Sequence, residues 1–276
     1  MLPLVLGELV KRAKDLWSIP PMEWETCKPT ESEIIRAEYE ATSGAQFDRL
    51  GLKKTVWDGY KQGTVKLVCK RLGKLARVVM FLPKGVPEPN WDIWSRVFMW
   101  FGYSPTKKPW AVTYFGAQRN REFPQEGQDL GAEHVNGGYT MPCSTEGIFI
   151  YRYEEHTRVL VHEMLHAACL DEPTWSIPER EAMIETWAEL ILIALVSKGR
   201  TLAAKRLWVA QSHWIADTNW KAKHVNNTDD LTDYAWRYLN GREMMYDKLG
   251  ITLPAARPVT ARKGYSLRFT HPMLEV

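Results

Sequence analysis

Residues 158–171 read Arg-Val-Leu-Val-His-Glu-Met-Leu-His-Ala-Ala-Cys-Leu-Asp, an almost wholly apolar run that carries His162, Glu163 and His166. A helix that is apolar on every side has to be buried. Four residues turn a helix by about 400°, so the two histidines project from one face, a turn apart. Three ionisable groups in a buried helix are costly unless they bind something. Two imidazoles on one face can reach a single metal ion, and Glu163 beside them can take a proton from a water held there. The chain has to bury this helix and complete the donor set from elsewhere.

A second helix is predicted over residues 178–198, with Pro178 at its start, acids in its first turn and Lys198-Gly199-Arg200 as a stop. Between Ala182 and Val196 its only charges are Glu185 and Glu189, which share a face four residues apart. They either line a solvated stripe or serve the metal. In the second case Glu185 is the third ligand, and Glu189 accepts the remaining ring N–H of a ligand histidine.

His162-Glu163-x-x-His166, then eighteen residues, then Glu185 resembles the gluzincin group of zinc metallopeptidases. The resemblance implies Zn2+ held by His162, His166 and Glu185, with Glu163 as general base. It also implies that Glu189, at the offset of a supporting carboxylate, steadies the first histidine. Glu-Thr-Trp-Ala at 185–188 is similar to the Glu-Gly-Phe-Ala stretch of gluzincin aminopeptidases, but departs at Thr186. The chain has no Gly-Ala-Met-Glu-Asn-type exopeptidase motif, so endopeptidase action is expected. The similarity covers about thirty residues around the site.

Two other metallopeptidase patterns fit less well. Metzincins place the third ligand six residues past the second histidine, after a glycine at the third; those positions are Glu172 and Cys169. Without the glycine the chain does not turn back so tightly. Leu160 to Ala167 also resembles SprT-like proteases, which use a third histidine soon after the helix. No histidine follows His166 until His213.

In chain order, helices are expected at 3–17, 31–39, 45–60 and 91–101, and strands at 64–69, 77–82, 110–115 and 148–153. Strand-like pieces fall near 134–140. The strand at 148–153 leads into the metal helix, the way zincin folds set an edge strand over the cleft to pair with an extended peptide. Asn136-Gly137-Gly138-Tyr139 is a candidate part of that rim, or a turn. His156 is about 120° round the helix from His162, which suits a surface or capping role. Helices at 201–217 and 229–248 complete a helical C-terminal lobe, with the cleft between it and the strand-bearing lobe. A hydrolytic site needs an oxyanion donor. The candidates are Tyr234, Tyr238, Tyr246, His213 and His224; by resemblance Tyr238 and Tyr246 lie at the right remove from Glu185.

The expected fold is therefore α+β and zincin-like: a mixed sheet with an edge strand over the active-site helix, and a helical C-terminal lobe. The divisions are a mainly helical region 1–75, a catalytic core 76–200, the lobe 201–253 and a basic tail 254–276. The substrate is a peptide or protein. The competing expectation is an inactive zincin-like scaffold, with the metal as a staple in a larger assembly.

The net charge of +3 is too small to argue for nucleic acid, and it is carried by the tail (Arg257, Arg262, Lys263 and Arg268 against Glu275), which is the candidate contact for a protein partner. The thirteen tryptophans suit core or interface anchors. Cys27, Cys69, Cys143 and Cys169 are scattered, with no C-x-x-C. Reduced cysteines and an intracellular setting are expected, with Cys143 a buried thiol or a thiol held against zinc. The N-terminus fits an amphipathic helix better than a signal peptide, and no run reaches eighteen apolar residues.

Overall fold

A computed structural model describes residues 2–43, 47–145, 147–226, 228, 230–257 and 265–276. The first helix, α1 (Leu4–Ser18), buries Leu6, Val10 and Ala13 at helical spacing, and Pro20-Pro21 follows it. A two-residue strand, β1 (Glu25–Thr26), precedes α2 (Glu31–Thr42). Thr30 and Glu33 cap α2 reciprocally, the side chain of each meeting the backbone N–H of the other. The helix expected from Ala45 begins instead at Leu52, as α3 (Leu52–Lys61); residues 44–46 lie outside the described residues. Asp48 sets that start by accepting the Leu52 and Lys53 amides at 3.0 and 2.8 Å.

Strands β2 (Val65–Leu72) and β3 (Ala76–Pro83) form a hairpin, and α4 (Trp91–Phe101) crosses over to β4 (Trp110–Ala117). Then come α5 (Ala132–Val135), β5 (Gly138–Tyr139), β6 (Ile148–Arg152), α6 (His156–Ala167), α7 (Ile177–Val196), α8 (Thr201–Asn226) and α9 (Asn240–Lys248). The architecture is α+β with a six-stranded mixed sheet.

The chain divides into two units that interleave along the sequence. One comprises Pro20–Asn120, Asn136–Leu170 and Val276; the other comprises Met1–Ile19, Arg121–Val135 and Asp171–Glu275. The first holds the whole sheet, in the order β1-β2-β3-β4-β6-β5. β3, β4 and β6 run parallel, while β5 pairs antiparallel to β6 through Gly138↔Ile150 and Tyr139↔Phe149. β1 is therefore one edge and β5 the other. The strand at 148–152, expected as the rim, lies one place inside β5.

Both faces of this sheet are covered, which is why β3, β4 and β6 are mostly apolar, with Arg77, Thr113 and Arg152 as exceptions. On one face Trp57 and Tyr60 of α3 meet Phe81, which stacks on Phe115 at 5.2 Å. On the other, Trp94 of α4 meets Tyr114 at 6.1 Å, and Tyr114 stacks on His156 at 5.5 Å.

The second unit is helical. Gly199, at φ +67°, joins α7 to α8 where α1 passes so close that a Cβ would lie 2.2 Å from the Lys14 Cα. Only glycine fits both the conformation and the approach. The helix expected to end at Asp217 continues to Asn226, because its polar residues have partners: Asn219 Oδ1 accepts from Arg242 at 3.1 Å, and Gln211 donates to the Phe269 carbonyl at 2.9 Å. The single helix expected over 229–248 is instead a turn, a 3-10 segment at Trp236–Tyr238 and α9. There the Asp230 side chain accepts the Thr232 amide at 2.8 Å, competing with helical bonding. No described helix is long and apolar enough to cross a membrane.

Candidate metal centre and its surroundings

All twelve residues of α6 are buried. His162 and His166 keep 6 % of their surface exposed and Glu163 only 4 %. The two imidazoles turn toward each other with Nε2 atoms 3.1 Å apart. Two nitrogens bound at about 2.0–2.1 Å to one tetrahedral zinc stand roughly 3.3 Å apart, so the pair fits a shared ion.

β5 lies over this helix. A Cβ on Gly138 would sit 2.5 Å from Val159 Cγ1, 2.7 Å from the Phe149 carbonyl oxygen and 3.3 Å from Glu163 Oε1. The bare backbone at Gly138 thus lets the edge strand approach the Glu163 carboxylate. The strand is held from both ends. Arg152 Nε donates to the Asn136 carbonyl at 2.7 Å, and the Tyr151 amide donates to Gly137 at 2.8 Å. Tyr139 stacks between Phe47 and Phe149 at 5.3 and 5.1 Å. Its hydroxyl meets Glu40 and accepts from Lys53 Nζ at 2.9 Å. Burial pulls the Lys53 ammonium below the usual lysine range, against the pull of Glu40. Nothing local in the sequence marks the part played by Lys53 or Arg152, because their partners lie in other elements.

In the other unit, α7 starts at Ser176, whose amide and hydroxyl both donate to Glu179 Oε2. Glu185 is 2 % exposed and Glu189 has no exposed surface, which rules out a solvated stripe. Glu189 is paired with Arg242 of α9, also fully buried, and accepts from the Tyr246 hydroxyl at 2.7 Å. Arg242 also donates to Asn219 Oδ1 at 3.1 Å and to the Leu239 and Phe269 carbonyls. Burial, and then the Glu189 charge, push Tyr246 well above the usual phenol range. It stays protonated and donates a hydrogen bond to Glu189.

Tyr238 is half-buried, 3.5 Å from the Tyr234 hydroxyl. Burial raises its ionisation well above the ordinary value, followed by the charge of Glu181, one turn before Glu185 on α7. The structure thus brings His162, Glu163 and His166 together in one unit, and Glu189 with Tyr246 in the other. Tyr238 stands apart, toward Glu181.

Three expectations are corrected. His156 is not on the surface: it is 5 % exposed, stacked between Tyr114 and Tyr153, with Nδ1 2.8 Å from the Tyr153 carbonyl. Cys143 and Cys169 are neither reduced nor buried: they form a disulfide at the exposed C-terminal end of α6. Both their amides donate to the His166 carbonyl at 3.0 Å, so the bridge ties down the turn that carries the second histidine. A separation of 26 residues hides this pairing in the sequence. The C-terminal stretch is no free tail over its described part. Leu267 and Phe269 are buried, Arg257 pairs with Asp217, and Arg268 pairs with Glu275. Arg262 and Lys263 lie outside the described residues.

Comparison with protein-family models, with curated proteins and with solved structures finds no match to this chain.

Proposed function

We propose that the chain is a zinc-dependent endopeptidase of zincin-like architecture, acting on peptide or protein substrates. The observation that carries this reading is the convergence of two buried imidazoles on α6, with Glu163 beside them and the edge strand β5 above. His162 and His166 offer their Nε2 atoms to the ion, and the third ligand is a carboxylate. Spacing in the sequence assigns that ligand to Glu185, and Glu181 is the alternative one turn earlier. Bound there, zinc lowers the pKa of a water and polarises a carbonyl.

Glu163, buried and shielded from bulk water, accepts the proton of that water and returns it to the departing amine. The outer edge of β5 offers backbone groups to an extended substrate, and the small Gly138 lets that strand lie close to Glu163. Of the two tyrosines, Tyr238 is the candidate donor to a developing oxyanion, since the Tyr246 hydroxyl already donates to Glu189.

That engagement of Tyr246 favours a second reading, a metal-stapled scaffold without turnover. Metal content and hydrolysis of a peptide library, measured on the same purified protein beside Glu163→Gln, decide between the two. One zinc per chain with hydrolysis lost only in the variant supports the peptidase. Zinc without hydrolysis in either supports the scaffold, and no zinc overturns both.

A further inference from the structure

The other two cysteines, distant in sequence, also meet. Cys27 continues the β1–β2 ladder past Thr26↔Lys70, its amide donating to the Cys69 carbonyl at 3.0 Å. The two Sγ atoms stand 2.9 Å apart. Arg77 Nη1 reaches Cys27 Sγ at 3.4 Å, while Nη2 is fixed by the Lys28 carbonyl and Glu33 at 2.6 and 2.9 Å. The pair is asymmetric: Cys27 is half-buried and Cys69 is buried in the apolar cluster beneath α2 and α3.

We propose that Cys27 and Cys69 are an oxidisable dithiol that closes to a second disulfide, clipping β1 onto the sheet, with a low-molecular-weight disulfide as oxidant. Cys27, the accessible sulfur, loses its proton and attacks one sulfur of the small disulfide, whose S–S bond breaks. The released thiolate takes up a proton. Cys69 then gives up its own proton and attacks Cys27 Sγ, expelling the second small thiolate, which is protonated in turn. Two protein thiols lose two electrons and two protons, and the small disulfide gains them as two thiols.

Burial, with the contact to Cys27, pushes the Cys69 thiol up to about 12, so it is a poor nucleophile toward outside reagents. It is held at the one sulfur it has to attack. The bridge would join positions 42 apart in sequence, directly after a strand only two residues long. A strand that short has little pairing of its own, so the redox state decides how firmly β1 and the chain leading to α2 are held.

The test treats the folded protein with glutathione disulfide, blocks remaining thiols with iodoacetamide under denaturing conditions, and maps peptides by mass spectrometry without reduction. The expected result is a Cys27–Cys69 cross-linked peptide beside the Cys143–Cys169 one. In Cys69→Ala, Cys27 should be trapped as a mixed disulfide with glutathione. In Cys27→Ser, Cys69 should take up no glutathione and be alkylated only after denaturation. Recovery of both cysteines as alkylated free thiols in the wild type, with Cys143–Cys169 intact, overturns the proposal. So does a cross-link from Cys27 to Cys143 or Cys169. The wild-type measurement stands even if Cys69→Ala fails to fold.

Discussion

Replacing Arg242 with methionine leaves the Glu189 carboxylate in a site with no exposed surface and without its cation. Removing one partner of a buried pair costs roughly 3–5 kcal/mol, because the other charge stays behind uncompensated. Arg242 also serves Asn219 Oδ1 and the carbonyls of Leu239 and Phe269. Loss of these adds to the upper end of that range. In the double variant Arg242→Met/Glu189→Met both charges are gone, and apolar residues of similar volume fill the site. There the cost should fall to about 1–3 kcal/mol, the share of polar groups left without Arg242. The coupling energy is then at least about 2 kcal/mol. For a chain of this size each kcal/mol moves the midpoint by roughly 2–4 °C. The single variant should therefore melt on the order of 10 °C low, with the double recovering about half. Urea unfolding followed by tryptophan fluorescence reads the same cycle at equilibrium. If the double costs the sum of the two singles, Glu189 and Arg242 do not act as a pair.

Gly138→Ala puts a Cβ within 2.7 Å of the Phe149 carbonyl and 3.3 Å of Glu163 Oε1; it should cost about 1–3 kcal/mol by thermal melting and lower hydrolysis while zinc content is kept. Unchanged stability would mean that β5 does not lie against α6. Lys53→Met removes the cation between Glu40 and Tyr139, and should speed amide exchange at Gly138 and Tyr139 over the wild type; equal exchange would show that the anchor does not hold the strand. Glu185→Ala and Glu181→Ala, assayed side by side for zinc by atomic absorption, should differ, with the ligand variant losing most of its metal. If both keep full occupancy, the third donor is not on α7, and Asp171 or Glu172 comes next.

Local pattern was enough for much of this molecule. The punctuation by Pro20-Pro21 and Gly199 foretells α1 and α7 within a residue or two, the spacing of apolar residues foretells α4, and the apolar run with i,i+4 histidines foretells that α6 exists, though not its end at Ala167. Burial of a helix and the direction of its side chains follow from its own periodicity, so His162 and His166 could be set on one face before any fold was known. Where chain-distant groups compete with local preference, the reading failed. Asn219 holds α8 helical beyond Asp217 because Arg242 is there to meet it, and Asp230 breaks the expected 229–248 helix by bonding Thr232.

By itself, then, the sequence determined several of the elements, the buried helix and the histidine pair, all of which depend on neighbours within a turn or two. Tertiary structure alone decided which strand is the edge, which sulfurs meet, and whose charge Glu189 balances. Those depend on strand order, and on residues brought together from 26, 42 and 53 positions away. No spacing rule reaches across such separations, because the chain between them is free to take any path that buries its apolar face.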